Sequence, residues 1–155
     1  MDRTLYGIEQ VVPHRGAMRL VDRLLDWDDA RVAVEVTVPA DGPFHEAGGV
    51  PAWVGIEYMA QAIAAWAGCQ SRSRGEDPKI GFLLGSRRYS AETGHFPVGG
   101  VLRVEAQCEL FGDNGLGMFA CRILLGERVL ASANVSVYQP ADALAYLENT
   151  NGGET

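Results

Sequence analysis

Apolar residues occupy every second position in three segments of the chain. Valines fill alternate positions of residues 31–38, and the same alternation runs through residues 101–110 and 128–138. A period of two is typical of a β-strand with one buried face. Each segment is therefore predicted to be a strand. In the second of them, the predicted inner face comprises Leu102, Val104, Ala106, Cys108 and Leu110.

Residues 52–68, AWVGIEYMAQAIAAWAG, are apolar almost throughout and predict a long, fully buried helix that ends near Gly68. Two strongly polar side chains interrupt this helix. They are Glu57 and Gln61, which lie four residues apart and therefore on the same helical face. A loop rich in glycine and proline, residues 39–51, precedes the helix. The large apolar side chains predicted to pack in the core and in a dimer interface, or in part to line a tunnel for an apolar ligand, are Trp53, Tyr58, Met59, Ile63 and Trp66.

The remaining segments give an α+β order of elements. Residues 79–88 and 118–125 predict strands, and FGDNGLG at residues 111–117 predicts a turn. Residues 18–27 fit either a helix or a strand, and DWDDA at residues 26–30 predicts the turn that follows. A single antiparallel sheet buries one helix by curving around it. We expect one domain over residues 1–140, then a partly disordered tail over residues 141–155 with a helical turn at residues 141–148.

Composition excludes several classes of function. The chain has 155 residues and a formal net charge of −7, without a basic stripe that would neutralise nucleic-acid phosphates. Its start has no apolar signal region, and the helix is too short and too polar to predict a membrane span. The cysteines are three, widely spaced and without a C-x-x-C motif, which favours free buried thiols and a cytoplasmic location. No metal-ligand cluster or nucleotide-binding glycine motif appears, so neither a metal nor a cofactor is expected.

The carboxylate on the apolar helix is the strongest chemical signal. An unpaired charge is costly to bury, and burial of a carboxyl commonly raises its pKa, as a general acid near neutral pH requires. His45 lies seven residues before the helix begins and is a plausible partner for Glu57. An imidazole can accept a proton near neutral pH, so this pair indicates an enzyme.

Two motifs resemble the hotdog-fold β-hydroxyacyl-acyl-carrier-protein dehydratases. They are VPHRGAMRLVDR at residues 12–23 and GIEYMAQA at residues 55–62. The family opens with a similar PHR…LVDR segment and has an E-A-M-A-Q-like run on its central helix, after an HFPG…PG loop. The resemblance implies a hotdog fold, with a curved antiparallel sheet wrapped around one long central helix. PAWVGIEYMAQA is similar to a divergent subfamily associated with aryl-polyene and related polyketide-like pathways.

The resemblance also implies roles for particular residues. In the family, a loop histidine and a helix carboxylate act across a dimer interface, and these correspond to His45 as the base and Glu57 as the acid. Amides at the start of the helix, from Ala52 through Trp53 to Val54, are expected to polarise the substrate carbonyl. Gln61 is expected either to contact substrate, to orient Glu57 or to satisfy a buried carbonyl. This chain has HEAG where the family has HFPG, and Ala52 where the family has glycine.

The other two histidines have weaker claims to the site. His14 is interpreted mainly as an anchor of the N-terminal segment through hydrogen bonds, with a functional role as the alternative. His95 lies in GHFPVGG, which resembles the family's active-site wording, but a predicted strand follows it instead of a buried helix. Arg15 and Asp22 are interpreted as a structural charge pair or as solvated groups.

Three hypotheses for function follow. The first is a dehydratase acting on 3-hydroxyacyl thioesters of acyl carrier protein. The second is a hotdog thioesterase, and the third is a weakly active acyl-binding subunit of a heteromeric dehydratase. A homodimer or a larger homo- or hetero-oligomer is expected, and an acidic carrier protein or its phosphopantetheine phosphate would dock on the one basic concentration. That concentration comprises Arg72, Arg74, Lys79, Arg87 and Arg88.

Overall fold

A computed structural model describes residues 4–79 and 81–140 of the chain. The predicted tail and its helical turn, residues 141–155, lie outside the described residues. The described residues form two α-helices, α1 (Ile8–Val11) and α2 (Gly55–Ser73), and single 3₁₀ turns at Gly16–Met18 and Ala52–Val54. The strands are β1 (Arg23–Trp27), β2 (Arg31–Thr37), β3 (Val50–Pro51), β4 (Phe82–Ala91), β5 (His95–Phe96), β6 (Val101–Phe111), β7 (Leu116–Leu125) and β8 (Arg128–Tyr138).

Six strands form one curved antiparallel sheet around α2, which confirms the predicted α+β hotdog fold. The order across the sheet is β1-β2-β6-β7-β8-β4, so that β1 and β4 are its two edges. The short strands β3 and β5 pair separately, beside the start of α2. One 3₁₀ turn, Ala52–Val54, separates β3 from α2, and β5 follows β4. This small pair therefore ties the loop before the helix to the segment after β4.

Local chemistry explains the turn between β1 and β2. The side chain of Asp28 accepts hydrogen bonds from the backbone amides of Ala30, at 2.8 Å, and Arg31, at 3.0 Å. Such a side-chain-to-backbone turn is typical of aspartate. The amide of Ala30, with support from Arg31, holds the pKa of Asp28 below its usual value. Residues 18–27, whose sequence fitted either a helix or a strand, therefore form strand β1 in their second half.

The alternation predicted for β6 is correct for its first half and wrong at its end. Leu102, Val104 and Ala106 are buried, but Leu110 is 59% exposed. The pairing of β6 with β7 shifts between Cys108 and Leu110, which is a β-bulge. A bulge inserts an unpaired residue and so reverses the faces of the residues beyond it.

The helix α2 supplies much of the core, but it is not buried on every side. Tyr58, Met59, Ile63 and Trp66 are buried as predicted, and burial raises the pKa of Tyr58 to about 12. Trp53 is the exception, at 61% exposed, with its ring edge-on to that of Phe44. A narrow stripe at helical spacing stays half-exposed and comprises Ile56, Glu57, Ala60, Ala64 and Ala67.

The helix extends past its predicted end at Gly68 to Ser73. Gly68 is where α2 contacts α1, because a Cβ on this glycine would lie 2.7 Å from Cα of Val11. Beyond this contact, Gln70 donates a hydrogen bond to the carbonyl of Asp28 at 2.9 Å, and Arg72 donates one to the carbonyl of Gln10 at 2.9 Å. These long-range bonds stabilise a last turn that its polar sequence does not predict. No helix in residues 4–79 and 81–140 is long and apolar enough to cross a membrane.

All three cysteines are free thiols, as predicted. Cys69 and Cys121 are buried, and burial raises the pKa of each to about 12. Cys108 was predicted to be buried but is half-buried, because it lies next to the bulge in β6.

Candidate active site

Glu57 lies on the half-exposed stripe of α2, in the first turn of the helix. Its side chain is 36% exposed, so the predicted full enclosure of this carboxylate does not occur within one protomer. The N-terminal segment and strand β4 flank this stripe without covering it. The carboxylate therefore faces an opening where a ligand or a second chain can reach it.

Gln61 fixes the N-terminal segment to the helix one turn after Glu57. Its Oε1 accepts hydrogen bonds from the amides of Leu20, at 2.8 Å, and Val21, at 3.4 Å. Its Nε2 donates to the carbonyl of Met18 at 2.7 Å and to Oε1 of Glu57 at 3.3 Å. Since a carboxamide offers two donors and two acceptor sites, all four are used.

This geometry corrects the expectation that Gln61 contacts substrate. The residue is 0% exposed, and its hydrogen bonds are committed to the protein. Gln61 instead fills the other two predicted roles together: it satisfies backbone groups of the N-terminal segment, and it donates to Glu57. Gln61 therefore holds the N-terminal segment on α2 and contacts the carboxylate of Glu57.

His14 lies beside Glu57 in the same protomer. The distance between Nε2 of His14 and Oε1 of Glu57 is 3.9 Å, and the histidine side chain is 31% exposed. Its Nδ1 is buried and has no hydrogen-bond partner among the described residues. The predicted anchoring role of this imidazole is therefore not realised.

Arg15 and Asp22 hold the surrounding backbone separately. The guanidinium of Arg15 donates to the carbonyls of Val12, at 2.7 Å, and His14, at 3.0 Å. The carboxylate of Asp22 accepts from the amide of Thr37 at 2.7 Å. The two residues are thus backbone clamps and not a charge pair, and both are exposed, as the alternative of solvated groups predicts.

His14 and Glu57 border a largely apolar cavity of about 220 Å³. Its volume is below the roughly 300–1,000 Å³ usual for small-molecule sites. Lys79 lies at its border and is exposed. The apolar walls come from α2, β4, β6 and β8 and comprise Ala60, Ile63, Ala64, Ala67, Phe82, Leu83, Phe111 and Val137.

A larger cavity of about 500 Å³ lies on the sheet, away from these two residues. Its charged groups pair with one another, since Glu105 accepts from Nε of Arg103 at 2.7 Å and from Nε of Arg122 at 2.5 Å. Burial opposes ionisation of Glu105, but the two arginines hold its pKa below the usual value. Because these ionic groups satisfy each other, the smaller cavity is the better candidate for chemistry.

His95 contacts the loop that carries His45. Nε2 of His95 lies 2.9 Å from Oε1 of Glu46, and the His95 ring packs on Gly48. His45 itself is exposed, with its amide bonded to the carbonyl of Gly42 at 3.3 Å. Of the described histidines, His14 lines the cavity, whereas His45 and His95 do not. His45 therefore reaches Glu57 only if the loop moves or a second protomer supplies it.

The position of His95 was not evident from chain order. The strand that follows His95 in sequence argued against a place in the site. In the structure, however, His95 pairs with Pro51, which places His95 beside the start of α2. Ala52 follows Pro51 in the chain, and its amide donates to the carbonyl of Gly94 at 2.9 Å. The first of the amides expected to polarise a substrate carbonyl is therefore already occupied, and the side chain of Val54 is buried.

A bulge in β4 aims Tyr89 at the same turn. Arg88 has a left-handed backbone, with φ of 58°, where the pairing of β4 with β8 shifts. The hydroxyl of Tyr89 donates to the carbonyl of Ala52, and burial raises the pKa of this phenol. Bulges commonly redirect a side chain next to an active site. No sequence pattern signalled this contact.

The described residues contain no group of three or more histidine, cysteine, aspartate or glutamate side chains that could hold a metal ion. What the cavity offers instead is one carboxyl and one imidazole against an apolar wall. This pair can exchange protons with a substrate that is otherwise apolar.

Comparisons with known proteins find a family model and a solved relative that match this chain. A family model, ApeP-like (ApeP dehydratase), matches residues 6–148. The dehydratase heterocomplex ApeI:P from Xenorhabdus doucetiae contains a chain 32% identical, with 94% of this chain and 99% of that chain covered and a TM-score of 0.85. No curated protein sequence matches.

More distant structures share the fold alone. Cj0977, a virulence protein of Campylobacter jejuni, is 12% identical over 87% of this chain and 96% of its own, with a TM-score of 0.64. A hypothetical thioesterase with coenzyme A from Streptococcus pneumoniae is 17% identical over 77% of this chain and 88% of its own, with a TM-score of 0.57.

Proposed function

The chain belongs to the ApeP-like dehydratase family, and we propose that it removes water from 3-hydroxyacyl thioesters of acyl carrier protein. The observation that carries this proposal is the position of Glu57, whose carboxyl borders an apolar cavity. An acyl chain needs apolar walls with few polar groups, and elimination needs an acid within reach of the β-hydroxyl.

In the proposed reaction, a base takes the proton from Cα beside the thioester carbonyl. The electrons of that C–H bond form the Cα=Cβ double bond as the Cβ–O bond breaks. Glu57, in its protonated form, gives its proton to the departing hydroxyl, which leaves as water. The products are the 2-enoyl thioester and water. His45 is the base that the family resemblance implies, supplied across a subunit interface.

A second subunit is part of the proposal. The relative from Xenorhabdus doucetiae is described as part of a dehydratase heterocomplex. In this chain Leu83 and Leu84 on the edge strand β4 are exposed, and Leu83 also lines the cavity. An exposed apolar edge is a template for pairing with another chain. A subunit on β4 would close the open side of the site next to Glu57.

The carrier protein is expected to dock near Lys79, Arg87 and Arg88. Within the basic concentration, Arg72 pairs with Asp77 at 3.2 Å and Arg74 with Glu76 at 3.2 Å. The remaining three cations are exposed, and Lys79 borders the cavity itself. They offer positive charge to an acidic carrier or its phosphopantetheine phosphate on a protein that is otherwise acidic.

The test is to incubate the protein, alone and with any hotdog subunit that co-purifies, with 3-hydroxyacyl- and acyl-carrier-protein thioesters. Mass spectrometry follows loss of water or release of the free acid. Glu57→Gln is expected to lower dehydration by about 10²–10⁴-fold, as loss of an acid–base group does. Glu127→Gln, in the exposed β7–β8 turn, is the matched control. Release of free acid without dehydration would instead assign a thioesterase, and no turnover with the partner present would assign an acyl-binding subunit.

A further inference from the structure

We infer that His14, and not a loop histidine, is the base that works with Glu57; this inference rests on the proposed dehydration. The first support is distance. Nε2 of His14 lies 3.9 Å from Oε1 of Glu57 within one protomer, and both residues line the cavity. Catalytic hydrogen bonds are often long in an unliganded enzyme and shorten when substrate binds.

The second support is the surroundings of the imidazole. Nδ1 of His14 is buried without a partner among the described residues, so the ring is not committed to a structural hydrogen bond on that side. Buried polar atoms of folded proteins are nearly always hydrogen-bonded, and an exception calls for an explanation such as a catalytic role. The other ring nitrogen, Nε2, is the one that faces Glu57.

The third support is rigidity. The backbone before His14 is fixed by the buried residues Val11 and Val12, and Gly68 of α2 packs directly on Val11. The guanidinium of Arg15 clamps the carbonyl of His14 at 3.0 Å. Beyond His14, Gln61 of α2 bonds the backbone of Met18 at 2.7 Å and of Leu20 at 2.8 Å. The helix that carries Glu57 therefore contacts the segment on both sides of His14, so the pair is held in one geometry before substrate arrives. Such preorganisation is what acid–base catalysis needs.

The proton balance also favours this pair. When His14 takes the Cα proton and Glu57 gives its own proton to the leaving hydroxyl, the site ends as imidazolium and carboxylate. Return of one proton from Nε2 to the carboxylate restores the starting state without exchange with solvent. Two groups 3.9 Å apart can make this transfer through one water, or directly once they close to hydrogen-bond distance.

Kinetics provide the first test. His14→Gln is expected to lower kcat by about 10²–10⁴-fold with little change in KM, and the double variant with Glu57→Gln should be barely worse than either single variant. Glu127→Gln, in the exposed β7–β8 turn, is again the control. Wild-type turnover in His14→Gln, with Glu57→Gln inactive, would overturn the inference and leave the proposed function intact.

A second test measures binding by NMR and does not depend on turnover. The chain has three histidines, so ring-labelled protein gives three imidazole NMR signals, which single glutamine variants assign. The probe is the amide analogue of 3-hydroxyhexanoyl-pantetheine. We expect the His14 signal to shift with the probe, and also in Glu57→Gln. A shift of His45 with His14 unchanged would overturn the inference, while absence of both binding and turnover would overturn it together with the proposed function.

Discussion

Replacement of Gln61 with methionine removes the hydrogen bonds that join the N-terminal segment to α2. Methionine is close to glutamine in size but has neither the amide donor nor the carbonyl acceptor. Three backbone groups lose their side-chain partner: the carbonyl of Met18 at 2.7 Å, the amide of Leu20 at 2.8 Å and the amide of Val21 at 3.4 Å. Glu57 loses its donor one turn away.

The expected loss is large because the site is buried. A buried backbone group that loses its partner costs about 1–3 kcal/mol. The two short bonds are partly buried, so together they account for roughly 2–4 kcal/mol, and the buried bond to Val21 adds less because it is long, at 3.4 Å. Since a domain of this kind is stable by only about 5–15 kcal/mol, Gln61→Met should destabilise it markedly.

Gln70→Met is the matched control on the same helix. Gln70 makes one such bond, to the carbonyl of Asp28 at 2.9 Å, and that carbonyl also accepts from Trp66 at 3.2 Å. The acceptor keeps a partner, so the loss should stay near 1 kcal/mol or below. Urea unfolding followed by tryptophan fluorescence and circular dichroism gives both free energies of unfolding. If the two variants differ by less than about 1 kcal/mol, Gln61 is not the structural link inferred from these bonds.

Three further predictions follow from the packing and charges. Gly68→Ala should lower Tm although alanine favours helices by about 1 kcal/mol, because the new Cβ would lie 2.8 Å from the carbonyl carbon of Val11; a higher Tm would refute this contact. Glu105→Gln should lower the free energy of unfolding at neutral pH, and its difference from the wild type should shrink as pH falls through the lowered folded-state pKa of this carboxyl. A difference in the free energy of unfolding that stays constant down to about pH 3 would refute this linkage. A thiol reagent should label Cys108 first and the two buried thiols only in denaturant, and equal labelling rates in the native protein would contradict the burial described above.

The fold followed from local patterns where strands and helix bury one continuous face. The alternation in β2 and β8 and the apolar run of α2 each report burial directly, so their order was enough to predict a sheet curved around a helix. The sequence pattern gave the wrong burial or the wrong helix end where tertiary contacts determine the local structure. The bulge before Leu110 depends on pairing with β7, and the last turn of α2 depends on bonds to distant carbonyls.

The candidate site was predictable only in its helical half. A carboxylate on an apolar helix is visible in one sequence, and Glu57 borders the cavity. Its neighbour His14 was not favoured, because proximity between residues so far apart in the chain arises from docking of α1 on α2. His45 has the shorter sequence separation, yet strand pairing between β3 and β5 holds its loop to His95 instead. His45 remains a prediction that rests on family resemblance.

The same helical face carries two polar residues, and their chemistry explains their different exposure. Gln61 is neutral, so four hydrogen bonds to the protein are enough to bury it completely. An ionised carboxylate at that depth would need a buried cation, and none is supplied to Glu57 by its described neighbours except a protonated His14. Glu57 therefore lies one turn earlier, where the stripe opens onto the cavity and a proton can be exchanged with His14 or with substrate. Exchange of the two residues would place the charge under the Met18–Val21 segment, so the double variant Glu57→Gln with Gln61→Glu should fail to fold at neutral pH. Folding of that variant with wild-type stability would show that the segment tolerates a charge and that Glu57 is not confined to the cavity by its desolvation cost.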